Sequence, residues 1–168
     1  MSSRTFPPVS GENLIFDLEP GWKVGYSAAA PGGTGIAEFV RESDAIEHWQ
    51  ELVTLQKFPV DSVLGNPRDI FDRWKRREDS QSGDKTLIQV LGEDAISILY
   101  EWRMPTAYGG WPAQHEISRW VFGPWTVYRI AYTVKQPEMP AEARQKWLKK
   151  ISEALVIVNR LPRPMGSS

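Results

Sequence analysis

The sequence predicts a layered α+β sandwich of one domain, in which helices pack over a predominantly antiparallel, twisted sheet. Its 168 residues suit one domain, and 41% hydrophobic with 24% charged residues is the composition of a soluble globular chain. Four segments between residues 86 and 134 alternate apolar and polar side chains, as antiparallel strands with one buried face do. An apolar stripe at helical spacing closes the chain, and such a helix covers the apolar face of a sheet.

The first quarter of the chain predicts strands. Residues 13–18 and 23–28 flank Pro20 and Gly21, which favour a turn, so these segments predict an opening hairpin. Residues 35–42 alternate in polarity and predict a third strand. The glycine-rich loop before this strand lacks the Lys followed by Ser or Thr that a phosphate loop requires, so it is interpreted as a strand connection.

Two helices are predicted next. Asp44 and Glu47 have the spacing of a capping box, and apolar residues at helical spacing predict a helix over residues 44–57. Asn66 and Pro67 predict the start of the second helix, with the asparagine as cap and the proline at the first helical position. Its apolar face carries Ile70, Phe71 and Trp74.

The second half predicts a meander followed by a helix. The strands are expected over 86–91, 95–103, 116–122 and 126–134, and the helix over 141–158. Trp147 lies in the apolar stripe of this helix and is expected to be buried against the sheet. The charged residues of the strands are interpreted as an exposed, salt-bridged sheet face: Glu101, Arg103, Glu116, Arg119 and Arg129.

The composition excludes several classes of function. Without cysteine the chain has no disulfide, no cysteine-ligated metal and no thiol nucleophile. A net charge of −1 disfavours non-specific nucleic-acid binding, which depends on neutralising phosphates. His48 and His115 lack companion ligands at metal-binding spacing and are interpreted as ordinary surface groups, so neither a metal nor another cofactor is expected.

The organisation predicted is a flexible segment over residues 1–10, a domain over 11–160 and a flexible tail over 161–168. No apolar stretch is long enough to span a membrane. As written the chain has no signal peptide, which predicts the cytoplasm, or export if a leader has been removed. The oligomeric state is left open.

The loop over residues 104–114 is the most informative candidate site. It is longer than a tight hairpin needs, and it carries Tyr108 and Trp111 around two glycines, on a backbone able to move. Long loops in compact domains often carry function. Two interpretations stay open: the rings contact a partner, or Trp111 folds back over the core.

A second candidate is the basic face of the second helix, which carries Arg68, Arg73, Lys75, Arg76 and Arg77. Such a face can meet an acidic partner, but many basic helix faces are merely solvated. The eight tryptophans also allow two interpretations. They form part of the core, because large aromatic side chains are mostly buried, or they line a binding surface, because such side chains also serve as anchors at interfaces. The buried interpretation is favoured.

The element order, with the segment Leu18-Glu19-Pro20-Gly21-Trp22, resembles the Mog1/PsbP-like domains. This resemblance implies an α/β/α sandwich used mainly as a non-enzymatic binding or assembly module. Such domains include photosystem accessory proteins, a partner of a nuclear-transport GTPase, bacterial envelope lipoproteins and secretion chaperones. No binding residue of the family can be transferred to this sequence.

The function expected is that of a non-enzymatic accessory domain. It would recognise another protein through the aromatic loop at Tyr108 and Trp111, or through the basic helix face at Arg73, Arg76 and Arg77. The alternative is a small-molecule carrier or enzyme with an aromatic-lined pocket between sheet and helices. A carrier needs an enclosed pocket with a few polar groups, whereas an accessory domain needs an exposed aromatic patch.

Overall fold

The computed structural model describes residues 11–158, which form nine β-strands and two α-helices. Their bounds are β1 (Glu12–Ile15), β2 (Trp22–Ala29), β3 (Gly35–Arg41), β4 (Glu51–Pro59), α1 (Pro67–Ser82), β5 (Leu87–Glu93), β6 (Ser97–Met104), β7 (Gln114–Phe122), β8 (Thr126–Val134), α2 (Ala141–Ser152) and β9 (Leu155–Val158).

The middle layer is a seven-stranded antiparallel sheet with the order β2-β3-β4-β8-β7-β6-β5. Trp102 of β6 faces α1, whose Trp74 ring lies 6.4 Å away. Tyr132 of β8 faces α2, whose Trp147 ring stacks on it at 4.2 Å. The register partners of Trp102 and Tyr132 are positions 116 and 117 of β7, which are adjacent and therefore point to opposite faces. The two helices thus cover opposite faces of the sheet.

The layer that contains α2 also holds a two-stranded antiparallel sheet of β1 and β9. Trp147 is 1% exposed at its centre, with Trp22 edge-on to it at 5.7 Å. Gly21 has a φ of +101°, which glycine adopts without strain, and it directs the chain into β2. The guanidinium of Arg41 lies 4.1 Å above the Trp22 ring. The Pro-Gly-Trp segment therefore supplies a core residue, and the predicted burial of Trp147 is confirmed.

The N-terminus of α1 is fixed by a reciprocal pair of hydrogen bonds. The backbone N–H of Asp69 donates to Asn66 Oδ1 at 3.0 Å, and the backbone N–H of Asn66 donates to Asp69 Oδ2 at 2.9 Å. This capping box satisfies backbone donors that have no partner within the helix. The predicted helix start is confirmed, and Ile70 and Phe71 are buried as expected.

The predicted helix over residues 44–57 is wrong. Ile46–His48 forms one turn of 3-10 helix, and Glu51–Pro59 is β4, which pairs with β3 and β8 in the middle of the sheet. Residues 52–55 are all buried, because both faces of β4 are covered. A strand buried on both faces has a continuous apolar run, which periodicity does not distinguish from a buried helix.

The predicted opening hairpin is also wrong, since β1 pairs with β9 and β2 pairs with β3. The glycine-rich loop therefore joins a β2–β3 hairpin, which the hydrogen bond from the Ala30 N–H to the Thr34 carbonyl closes at 2.9 Å.

The last helix is shorter than predicted, because it ends at Ser152 and Leu155–Val158 forms a strand. Arg119 Nη1 donates to the carbonyl oxygens of Ile151, Ser152 and Ala154 at 2.9–3.1 Å. These carbonyls lack partners at a helix C-terminus, and a cation there also complements the helix dipole. The β-branched residues that follow suit a strand.

The four predicted strands of the meander are confirmed as β5–β8. The expectation of one buried face is wrong, because α1 and α2 cover opposite faces. The segments 1–10 and 161–168, which the sequence predicts to be flexible, lie outside the described residues. No helix within residues 11–158 is long and apolar enough to cross a membrane.

Candidate functional site

The loop between β6 and β7 ends in a tight two-residue turn. The backbone N–H of Tyr108 donates to the carbonyl of Trp111, and the N–H of Trp111 donates to the carbonyl of Tyr108, both at 3.0 Å. Gly109 and Gly110 have φ values of +58° and +83°, and two consecutive positive φ angles define a type I′ turn. The glycine pair thus serves a defined turn.

This loop forms one side of a cavity of about 460 Å³ on the α1 face of the sheet, which we call the aromatic cavity. Its volume lies within the range of roughly 300–1,000 Å³ typical of ligand pockets. Trp74 and Glu78 of α1 form the opposite wall, and Tyr108 and Trp111 lie at the mouth. The floor consists of Trp102, Met104, Gln114, Glu116 and Arg129.

A buried ion pair lies in this floor. Arg129 Nη2 donates to Glu116 Oε1 at 2.5 Å and to Ser118 Oγ at 3.1 Å. Arg129 Nη1 donates to Gln56 Oε1 at 3.0 Å. The Glu116 carboxylate also accepts from Ser118 Oγ at 2.6 Å and from Thr133 Oγ1 at 2.8 Å. Both oxygens of the buried carboxylate are therefore satisfied, as a buried charge requires.

The charges of the floor are stabilised by their mutual arrangement. Burial is the largest single influence on the pKa of Arg129 and opposes its charged form, but the attraction and hydrogen bonds of Glu116 and Tyr100 together outweigh it, so the pKa of Arg129 is raised above its usual value. Burial raises the pKa of Tyr100, which is 1% exposed beneath α1. Near neutral pH the floor therefore holds a protonated guanidinium, and the neutral phenol of Tyr100 is buried close to it.

The two aromatic residues predicted as a contact site are exposed at the cavity mouth. Tyr108 is 44% exposed and Trp111 is 68% exposed. The alternative that Trp111 covers the core is wrong, because most of its ring is in contact with solvent.

The prediction that the tryptophans are buried is correct for only some of them. Trp22 and Trp147 are fully buried, whereas Trp74 and Trp102 are half-buried and line the cavity together with Trp111. The sequence predicted Trp74 on the apolar face of the second helix, but it identified neither Trp74 nor Trp102 as a cavity residue.

The predicted basic face lies on the outer side of α1. Arg73, Arg76 and Arg77 are exposed and do not line the aromatic cavity, although Arg73 Nη2 donates to the Leu64 carbonyl at 2.5 Å. The structure therefore places the two predicted site groups on different surfaces, which α1 separates. The two other basic residues form ion pairs, Arg68 with Asp72 and Lys75 with Asp79.

The interpretation of His115 as a surface group is wrong, because the residue is 3% exposed, whereas His48 is exposed. The backbone N–H of Met139 donates to His115 Nδ1 at 2.8 Å, so Nδ1 acts as an acceptor. The ring proton is therefore assigned to Nε2, which lies 3.1 Å from Glu101 Oε2. Arg144 donates two hydrogen bonds to Glu101, at 2.9 and 2.7 Å. These bonds, followed by the contact from His115, hold the pKa of Glu101 below its usual value.

This cluster therefore links β6, β7 and α2, and both ring nitrogens of His115 have a partner in it. Groups of three or more His, Asp or Glu side chains that could hold a metal ion are absent from residues 11–158.

The expectation of an exposed, salt-bridged sheet face is wrong for Glu116 and Arg129, which form the cavity floor, and for Arg119, which caps α2. The strand alternation contained a signal for the first pair. Glu116 shares its parity along β7 with Ser118 and Trp120, and Trp120 packs in the apolar cluster under α1.

No protein-family model and no curated protein matches the sequence. Among solved structures, the solution structure of cyanobacterial PsbP (CyanoP) from Synechocystis sp. PCC 6803 is similar over 94% of this chain and 94% of that chain. The TM-score is 0.52 and the sequence identity is 14%, so the likeness concerns the fold. The three-layer sandwich of this chain is therefore a PsbP-like fold, as the element order and the Pro-Gly-Trp segment indicated.

Proposed function

We propose that this chain is a non-enzymatic binding or assembly accessory domain that recognises a protein partner through Tyr108 and Trp111. The observation that carries the proposal is the exposure of these two rings side by side on a hydrogen-bonded turn. They are cross-strand neighbours on a type I′ turn, so their side chains share one side of the turn, at the mouth of the aromatic cavity. Exposed aromatic anchors beside a pocket are the residues that dominate binding energy at interfaces.

Two further features support this function. The resemblance to PsbP-like domains implies a module used for binding or assembly. The Glu116 carboxylate and the Arg129 guanidinium of the cavity floor are also engaged with one another and with neighbouring hydroxyls, so this pair is poorly suited to act as a general base.

The experiment is partner capture from a lysate of the protein's own host, comparing the wild type with the double variant Tyr108→Ala/Trp111→Ala. We expect the double variant to bind its partner at least about thirtyfold more weakly, since aromatic anchors of this kind contribute about 2 kcal/mol or more. Its melting temperature should change by less than about 2 °C, because both side chains are exposed.

The matched control is Tyr26→Ala/Trp125→Ala. It removes one tyrosine that is 49% exposed and one tryptophan that is 51% exposed, neither of which lines the aromatic cavity. Equal losses in the two double variants would mean that capture depends on general surface hydrophobicity and would refute the proposal.

The basic face is the alternative contact surface of the same accessory function. A variant with Arg73→Glu, Arg76→Glu and Arg77→Glu tests it by reversing three exposed charges. If this variant loses capture while the Tyr108/Trp111 variant captures fully, the partner binds the outer side of α1 instead.

The second candidate function is a small-molecule carrier, which the volume of the aromatic cavity favours. Native mass spectrometry of protein purified from its own host tests it. A retained small molecule that is lost from the Trp111→Ala variant would support a carrier.

A further inference from the structure

We infer that the aromatic cavity receives a basic side chain, arginine or lysine, of the partner protein. This inference rests on the proposed function and adds the chemistry that the cavity recognises. It follows from the rings, from the charges of the lining residues, and from how the same chain binds its own cations.

The aromatic rings of the cavity are held in place by the fold. The Trp74 ring lies 4.9 Å from Tyr100 and 5.9 Å from Phe71, both of which are buried, and 6.4 Å from Trp102. Tyr108 and Trp111 approach from the opposite side of the cavity. The face of an aromatic ring carries negative potential and attracts a cation that lies within about 6 Å of its centre. Rings on two walls of one cavity can therefore act on the same cation.

The charged residues of the lining add to this preference. They are Glu78, Glu116 and Arg129, and the last two neutralise each other at 2.5 Å. Glu78 lies one helical turn after Trp74 on the same side of α1, and its carboxylate has no ion-pair partner among residues 11–158. The cavity thus has one negative charge that no described cation balances, beside rings that favour positive charge.

An acidic or a neutral ligand fits this arrangement less well. A carboxylate in the cavity would meet Glu78 and the ring faces, and a neutral group would leave Glu78 without a counter-charge. The protein already uses the same chemistry internally, since Arg41 lies 4.1 Å from the centre of the Trp22 ring and Lys135 lies 4.2 Å from that of Trp49. A basic side chain of the partner would complete this type of contact at the exposed site.

The test is an NMR titration that follows the indole N–H signals of Trp74, Trp102 and Trp111. The probes are four capped tripeptides, glycine–X–glycine, in which X is arginine, lysine, citrulline or glutamate. Citrulline matches the shape and hydrogen-bonding groups of arginine but has no charge. We expect the arginine and lysine peptides to shift the three indole signals, with the citrulline peptide about tenfold weaker because it loses both the cation–π and the ionic attraction.

The variant for this test is Glu78→Gln, with Glu142→Gln as the matched control on α2, at the opposite face of the sheet. Glu78→Gln should weaken arginine peptide binding about threefold, as expected for a partly exposed ion pair, and Glu142→Gln should leave it unchanged. A preserved dispersion of amide signals would show that both variants are folded.

Three results would overturn the inference: equal binding of arginine and citrulline peptides, tighter binding of the glutamate peptide, or no shift at the cavity indoles at millimolar arginine peptide. Each of these leaves the proposed function standing, because partner capture by Tyr108 and Trp111 is measured separately. Conversely, full capture by the Tyr108/Trp111 variant would refute the proposed function whatever the peptides do.

Discussion

Replacing Glu116 with glutamine tests whether its carboxylate stabilises Arg129 in the floor of the aromatic cavity. The change conserves shape, and the amide oxygen can still accept from Ser118 and Thr133. The guanidinium, however, loses its only carboxylate at hydrogen-bond distance among the described residues. The side chains of Glu116 and Arg129 are 9% and 19% exposed, so water compensates the remaining charge only in part.

The expected loss follows from this burial. Removal of one partner from a buried ion pair costs about 3–5 kcal/mol. Because Arg129 keeps some contact with solvent and with Gln56, we expect a loss near the lower end, about 3 kcal/mol in the free energy of unfolding. Arg129→Met should cost a similar amount, since it leaves the Glu116 charge without a cation.

The double variant Glu116→Gln/Arg129→Met separates the charge effect from the loss of shape. It leaves no charge in the floor, and the glutamine still accepts from the two hydroxyls. We expect it to be less destabilised than either single variant, within about 1 kcal/mol of the wild type, because a buried ion pair replaced as a whole is often near neutral. The two single losses would then fail to add, which is the mark of a direct interaction.

Urea unfolding of the four proteins measures these differences, with an unchanged m value as the check on two-state behaviour. A loss below about 1 kcal/mol for Glu116→Gln, the level of a surface change, would refute the buried ion pair. Additive losses in the double variant would refute the coupling.

Two further predictions follow from the fold. Trp147→Ala should lower the free energy of unfolding by about 3–5 kcal/mol, because the ring is 1% exposed and stacks on Tyr132. The control is Trp125→Ala, which should lower it by less than about 0.5 kcal/mol because Trp125 is 51% exposed. Arg144 holds the pKa of Glu101 below its usual value, so the carboxylate stabilises the folded state fully above about pH 4.3, and this stabilisation is lost as the pH falls from there through the lower pKa of the folded state. The difference in urea stability between wild type and Glu101→Gln should therefore be larger near pH 7 than near pH 3.5, and a difference independent of pH would contradict it.

The strands of the meander could be predicted from the sequence, whereas β4 could not. Polar and apolar residues alternate along β6 and β8, although β8 is the middle strand of the sheet and all its residues except Arg129 are buried. β4 lies between β3 and β8, where residues 52–55 are buried on both faces, so its apolar run has no period of two. The start of α1 was predictable because the capping pair Asn66 and Asp69 lies within four residues of sequence.

The candidate site was predictable only where it depends on local sequence. Tyr108 and Trp111 were identified because a long loop with a glycine pair is visible in the chain. The pairing of Glu116 with Arg129 depends on the register of β7 against β8, in which Glu116 is opposite Thr133 and Arg129 is opposite Trp120. No local pattern specifies that register, and charged residues on alternating strands are usually exposed.

The construction of the aromatic cavity bears on how it can recognise a partner. One wall rests on a type I′ turn, and the other rests on α1, whose Trp74 packs against the buried Tyr100. Immobilising side chains and loops on binding costs about 0.5–1.5 kcal/mol for each rotamer-rich side chain, and a site that is already ordered avoids much of this cost. The turn and the capped helix set the positions of the rings. Gly110→Ala should therefore weaken partner binding even though it removes no ring. Alanine is strained at a φ of +83°, so the turn would reorganise and displace Trp111.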